Sequence, residues 1–188
     1  DHAFKRRQFI GTTGRTIIAP GACQCLFQGA VFAATTRKGE MIAPCGLYCG
    51  ACSAMLKSLK AERHSDVVCL GCLSSKGGDY TRKCEIRKCA KRKQVKSCGE
   101  CDDYPCEKIS EFTKQGADNP KYALRRKYLD EVDKNGLEAW SRQQEKRWSC
   151  PQCREPFGYD HDKCPKCGAD IHSAREELAE FLKTMPVR

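Results

Sequence analysis

The chain lacks long apolar runs, is poor in aromatic residues and is short of acidic charge. Of its 188 residues 8% are aromatic and 4 are histidine, and 24 acidic residues face 34 basic ones. Without a run of about 20 apolar residues a stable membrane span is not expected. The one mildly apolar stretch, from Thr16 to Ala34, is broken by Pro20, Gly21, Gln24, Gln28 and Gly29. No Ser/His/Asp set, phosphate-binding loop or carboxylate pair at a committed spacing is present, so no catalytic residue is assigned and an enzyme is the weakest reading. No strand-rich segment is evident either. Cys45, Cys49 and Cys52 show the CxxxCxxC spacing of radical enzymes, but the chain is too short for the barrel those enzymes need.

Cysteine is abundant: 16 residues, far above ordinary usage. A chain with a modest apolar core and this much sulfur points to a fold held by cross-links or metals. The formal charge of +10 counts cysteine as neutral. Four thiolates around zinc, or around a 4Fe–4S core in its 2+ state, leave about −2 per site. Three such sites would cancel much of the excess, so basicity alone is weak support for a nucleic-acid partner.

Residues 1–36 read as an export signal. Lys5-Arg6-Arg7-Gln8-Phe9-Ile10 is followed by the weakly apolar stretch and by Val31-Phe32-Ala33, a small-residue end of the kind signal peptidase accepts. The paired arginines resemble the twin-arginine signal that carries folded, cofactor-loaded proteins out of the bacterial cytoplasm. Lys5 and Gly11 depart from that pattern. Cys23 and Cys25 lie inside this segment and read as bystanders, which leaves fourteen cysteines.

Ten of these fall between Cys45 and Cys106: Cys45, Cys49 and Cys52, then Cys69 and Cys72, Cys84 and Cys89, Cys98 and Cys101, and Cys106. A CxxC turn brings two sulfurs toward one ion, and the neighbouring glycines suit the turn. A disulfide-rich secreted domain is the rival reading. Repeated CxxC knuckles favour metal, and ten ligands fill two four-sulfur sites with two sulfurs left over. Zinc and 4Fe–4S clusters both accept such ligands, and the sequence does not say which cysteines share a centre.

The blocks Cys45-Gly-Leu-Tyr-Cys-Gly-Ala-Cys52, Cys69-Leu-Gly-Cys72, Cys84-Glu-Ile-Arg-Lys-Cys-Ala90 and Cys98-Gly-Glu-Cys-Asp-Asp-Tyr-Pro-Cys-Glu107 resemble the domain of unknown function numbered 3795, over roughly residues 41 to 115. The resemblance implies a cysteine-rich, metal-binding module and implies no reaction.

Cys150-Pro-Gln-Cys153 and Cys164-Pro-Lys-Cys167-Gly168 form two further knuckles, the arrangement of a zinc ribbon. The short loop between them favours zinc over a rubredoxin iron, and His161 and His172 read as surface residues. Between array and ribbon, helices are expected. One starts at Asp103 and Pro105 and ends at Gly116. A second is capped by Asn119 and closed by Asn135-Gly136, and a third carries Leu137, Trp140 and Trp148. A fourth opens with a Ser173/Glu176 capping box and carries Leu178, Phe181, Leu182 and Met185. Tyr122, Tyr128, Trp140 and Trp148 read as core rather than as stacking platforms for RNA.

The fold expected is small, mostly α and metal-stabilised, with a C-terminal zinc ribbon of short β-hairpin knuckles and flanking helices. Its parts are an export signal at 1–36, a cysteine-rich domain at 37–116, a helical linker at 117–148, a ribbon at 149–171 and a last helix at 172–188. The function expected is metal binding by an exported accessory or electron-transfer protein, with a protein partner such as a redox complex. The alternatives are a zinc-stabilised protein- or nucleic-acid-binding module in the cytoplasm and a thiol–disulfide redox protein using Cys49 and Cys52.

Overall fold

Asn119 and Pro120 open the longest helix for reasons written in their chemistry. The Asn119 side chain accepts the Lys121 N–H at 3.0 Å, and Pro120 occupies the first turn, where a missing N–H costs nothing. In a computed structural model, which describes residues 41–185, this helix runs Pro120–Asn135 and the other elements are arranged around it. Seven α-helices lie among the described residues: α1 Ser53–Leu59, α2 Asp79–Lys83, α3 Glu85–Lys93, α4 Glu107–Lys114, α5 Pro120–Asn135, α6 Leu137–Arg147 and α7 Ala174–Thr184. Short 3-10 turns cover Cys49–Ala51, His64–Asp66 and Cys98–Glu100. The described residues contain no β-strand, only isolated antiparallel bridges. None of these helices is long and apolar enough to cross a membrane.

Helix α5 packs against α4, α6, α7 and the Cys98–Glu100 turn. One side of the core gathers Leu124, Tyr128 and Val132 of α5 with Trp140, Trp148, Phe157 and Tyr159, and reaches Ile42, Tyr48 and Ala51 at the other end of the described chain. Trp140 meets Tyr48 and Tyr128 edge to face, at centroid distances of 6.0 and 5.7 Å. Of the four aromatics expected in the core, Tyr128, Trp140 and Trp148 are fully buried and Tyr122 is half-buried. A second cluster joins Ala43, Cys45, Cys49, Met55, Ile86, Ile109 and Leu129. Leu129 faces this cluster while Tyr128 faces the other, so α5 divides the cysteine-rich side from the aromatic side.

The capping box of α7 forms as read: Ser173 Oγ accepts the Glu176 N–H at 3.3 Å, and Glu176 accepts the Ser173 N–H at 2.7 Å. Leu182 and Met185, at the end of that apolar stripe, are exposed. The helix expected from Asp103 begins instead at Glu107, with Cys106 as its cap. Pro105 follows a cis peptide bond, and the Tyr104 N–H closes a turn onto the Cys101 carbonyl at 2.8 Å, so the chain is still turning where the helix was expected. The segment 1–36, with its expected export signal and with Cys23 and Cys25, lies outside the described residues.

Candidate metal centres

The two C-terminal knuckles are built alike, fourteen residues apart. In the first, the Cys150 N–H donates to the Glu155 carbonyl at 2.9 Å and the Arg154 N–H to the Cys150 carbonyl at 3.0 Å. In the second, the Cys164 N–H donates to the Ala169 carbonyl at 2.8 Å and the Gly168 N–H to the Cys164 carbonyl at 3.0 Å. Each is closed by one antiparallel bridge, Ser149 to Pro156 and Lys163 to Asp170. The residue after the second cysteine is left-handed in both, Arg154 at φ 62° and Gly168 at φ 72°. Single bridges, rather than strands, replace the expected hairpins.

This construction brings four sulfurs together. Cys150 Sγ lies 3.7 Å from Cys167 Sγ, Cys153 Sγ lies 3.6 Å from Cys164 Sγ, and all four fall within 4.8 Å of one another. A tetrahedron with Zn–S bonds of about 2.3 Å has edges of about 3.8 Å, so the sulfurs already stand at the spacing one ion requires. Backbone N–H groups prepare the charge. The Cys167 N–H, and after burial the Lys166 N–H, act on Cys164, and hydrogen bonding lowers its thiol to about 6. Cys167 moves the opposite way: the Ala169 N–H draws its thiol down, but hydrogen bonds to neighbouring sulfurs, with Cys153 foremost, hold the proton more strongly. His161 stays out of the set, its Nδ1 accepting the Gly158 N–H at 3.2 Å. His172 faces Glu180 at 3.2 Å.

Seven of the ten upstream cysteines (Cys45, Cys49, Cys52, Cys72, Cys84, Cys98 and Cys106) lie in or against the second core cluster, and none of the fourteen described cysteines is disulfide-bonded. Cys49-Gly-Ala-Cys52 and Cys98-Gly-Glu-Cys101 form matching 3-10 turns, each closed by the second cysteine's N–H on the first one's carbonyl, at 3.0 and 3.2 Å. Glycine is required in the second turn, where a Cβ at Gly99 would stand 2.6 Å from the Leu129 carbonyl oxygen. The Cys98 N–H donates to the Pro44 carbonyl at 2.9 Å, tying this turn to the segment entering Cys45. Cys52, Cys84 and Cys106 stand at the N-caps of α1, α3 and α4. Among the described residues, these sulfurs form no group of three as close as the C-terminal four.

Burial pushes the Cys45 thiol up to about 11 and the Cys98 thiol up to about 12. Opposing this at Cys45 is the charge of Arg125. That arginine is 8% exposed; its Nη1 donates to the Phe112 and Gln115 carbonyls at 3.4 and 3.5 Å, its Nε has no hydrogen-bond partner, and among the described residues no carboxylate pairs with it. Its guanidinium instead lies 4.5 and 4.3 Å from the ring centroids of Phe112 and Tyr122.

Several contributors were invisible from spacing alone. Nothing local sets Arg125 and Lys121 apart from the other basic residues of α5, yet Lys121 Nζ lies 3.9 Å from Cys52 Sγ. Tyr159 lies in the loop between the knuckles. Its N–H donates to the Ala51 carbonyl at 3.1 Å, its hydroxyl accepts the Tyr48 N–H at 2.9 Å and donates to the Tyr48 carbonyl at 3.2 Å. Two aromatic residues, Phe157 and Tyr159, inside the ten-residue loop between the knuckles were the one available signal.

Fold and sites together define a mostly helical, cysteine-rich protein with a four-cysteine group that can hold a metal ion. Residues 41–111 match the family described as "Protein of unknown function (DUF3795)", the segment that carries the ten central cysteines. No curated protein and no solved structure matches the chain.

Proposed function

We propose that this is a metal-binding protein in which Cys150, Cys153, Cys164 and Cys167 hold one zinc ion as a zinc ribbon, and in which the central cysteines bind further metal. The sulfur tetrahedron at the C-terminal knuckles carries the reading. Zinc there is structural, because four thiolates complete its coordination and leave no position for substrate. For the central ten, the support is Arg125. Its charge acts on Cys45, and beyond the Phe112 and Gln115 carbonyls that its Nη1 meets, a buried guanidinium is favoured by a nearby anion, which a metal-bound thiolate supplies. The wider spacing of the central sulfurs suits the larger core of an iron–sulfur cluster, whose ligands attach to separate irons.

Iron at these positions makes the protein an accessory or electron-transfer component, and folding around a cluster before export gives the twin-arginine-like start its purpose. A redox protein complex is the corresponding partner. Two observations weigh against the alternatives. Tyr128, Trp140 and Trp148 are buried and offer no face for RNA bases to stack on. Cys49 is 7% exposed, which is poor access for thiol–disulfide exchange.

Anaerobic isolation followed by metal and sulfide analysis and an absorption spectrum tests this. One zinc per chain is expected, lost on Cys153→Ser with Cys167→Ser, together with iron and sulfide that survive those substitutions. A native protein free of metal, its thiols joined as disulfides, would sink the reading. Cell fractionation separately tests export, with recovery in the cytoplasm alone counting against it.

A further inference from the structure

Charge is not spread evenly along this chain. The fifteen residues from Arg82 to Lys96 hold eight basic residues and one acidic residue, Glu85. That is a net of +7 in a chain whose total is +10. With Cys84 and Cys89 counted as thiolates the stretch still carries +5, so its own sulfur does not offset it.

The fold sorts these cations into two kinds. Arg87 turns inward, its Nε donating to the Cys72 carbonyl at 2.5 Å and its Nη2 to the Ser74 carbonyl at 3.3 Å. The other seven, among them Lys83, Lys88, Lys91, Arg92 and Lys96, are exposed. Ile86 and Ala90 form the buried side of α3, and with 3.6 residues per turn Lys88, Lys91 and Arg92 fall on the opposite face. Arg82, Lys88 and Lys93 have local partners in Asp79, Glu85 and Asp103. Among the described residues no carboxylate pairs with Lys83, Lys91, Arg92 or Lys96. Helix dipoles favour cations in a last turn, where Lys83, Lys91 and Arg92 stand. Crowding opposes that gain, because Lys88 meets Lys91 and Arg92 at i, i+3 and i, i+4, where like charges repel. An anionic surface laid across the face relieves the repulsion.

The neighbouring groove decides what kind of anion fits. Between α2, α3 and α4 the surface is hollowed over Ile86, Phe112 and Tyr80, and Tyr80 is 65% exposed. Glu85, Glu107 and Glu111, all exposed, also line it. A phosphate backbone, negative along its whole length, would meet those carboxylates. A folded protein can set acidic side chains on the ridge and apolar ones in the groove.

We propose that the outer face of α3, Lys88, Lys91 and Arg92 with the adjoining Lys83 and Lys96, docks an acidic surface of a partner protein. This face gives the protein partner read above its seat, and it depends on that reading and not on the metal. The same helix carries Cys89 and is capped by Cys84, so the partner stands within one helix diameter (~10 Å) of those two positions.

Poly-L-glutamate, mixed with the intact chain, is the acidic polypeptide of the test. Carbodiimide joins its carboxylates to the lysines they touch, and peptide mass spectrometry locates the joints. At low salt, coupling at Lys83, Lys88, Lys91 and Lys96 should exceed that at Lys134, Lys146 and Lys183 at least about fivefold, and should fade as salt rises. Even coupling over all these lysines overturns the docking face and leaves the protein-partner reading standing. Lys91→Glu with Arg92→Glu should weaken poly-L-glutamate binding at least about tenfold. Lys134→Glu with Lys183→Glu, the same change of charge elsewhere, should weaken it less than about twofold. Equal weakening would show attraction to net charge alone and refute the face. Tighter binding of polyuridylate, or of phosphatidylcholine vesicles with roughly 25% phosphatidylserine, would overturn the protein-partner reading itself.

Discussion

Gly99 sits where the Cys98–Cys101 turn backs onto α5, and an added Cβ would meet Val132 Cβ at 2.9 Å as well as the Leu129 carbonyl oxygen. Neither neighbour can yield easily, because both belong to a buried helix. Gly99→Ala should therefore lose ~1–3 kcal/mol of stability, read from the urea midpoint. Gly78→Ala is the comparison, since its Cβ would meet only the exposed Tyr80 ring, and a change within about 0.5 kcal/mol is expected. Cys45 makes a prediction about pH. Burial raises its thiol from about 9 to about 11, so the metal-stripped fold favours the protonated form. That contribution is complete below about 9 and is lost as pH rises through about 11. The melting temperature of metal-stripped protein should fall across that interval. If the proposed metal is bound at Cys45, its thiolate has no proton to lose and the metal-loaded protein should not show the fall at the same place.

At the scale of elements, one buried carboxylate ties α7 to both α5 and α6, beside the apolar packing of Ala174 and Leu178. Glu177 is 4% exposed and receives Lys127 Nζ at 2.6 Å, Arg147 Nη2 at 2.9 Å and the Tyr128 hydroxyl at 3.2 Å. Removing one partner of a buried charge network leaves the others uncompensated. Glu177→Ala should cost about 3 kcal/mol or more by denaturant unfolding, and a loss under about 1 kcal/mol would show that solvent already screens the cations. The helices themselves were legible in the sequence. Asn119 with Pro120, and Ser173 with Glu176, satisfy orphan N–H groups within four residues, so local chemistry defines those starts. Glu177 was not legible, because in a helix of mixed charge nothing local separates a buried glutamate from an exposed one. The start of α4 was misplaced for a related reason. Pro105 is a fair helix opener in isolation, and only the turn onto Cys101 moves the start to Glu107.

Across the whole described molecule, the last cysteine pairs and the first share a core. Tyr159 reaches from the ribbon loop to the Cys49–Cys52 turn, and its hydroxyl satisfies both the N–H and the carbonyl of Tyr48. Tyr159→Phe leaves the buried Tyr48 N–H without a partner, while the carbonyl keeps the Ala51 N–H at 3.3 Å, and should cost about 1–3 kcal/mol. Hydrogen exchange should then quicken at the Tyr48 amide, and exchange confined to residues 150–170 would contradict the coupling. Removing the metal proposed for Cys150, Cys153, Cys164 and Cys167 should produce the same effect at a distance, since a metal held there would fix both ends of the loop that carries Tyr159.

What the chain determined by itself was its sulfur chemistry and its helix ends. CxxC spacing, a cap and a capping box act within a few residues, where backbone geometry leaves little choice. The fourteen-residue likeness of the two knuckles was legible as paired CxxC motifs, and their meeting at sulfur distances of 3.6 and 3.7 Å required the fold to bring them face to face. Tertiary structure alone decided that Arg125 is buried without a carboxylate, that Lys121 faces Cys52, and that Arg87 turns inward from α3 onto the Cys72 carbonyl. Those arrangements depend on residues far apart in sequence packing around α5, and the energy of a charge is set by its surroundings, which no local pattern encodes.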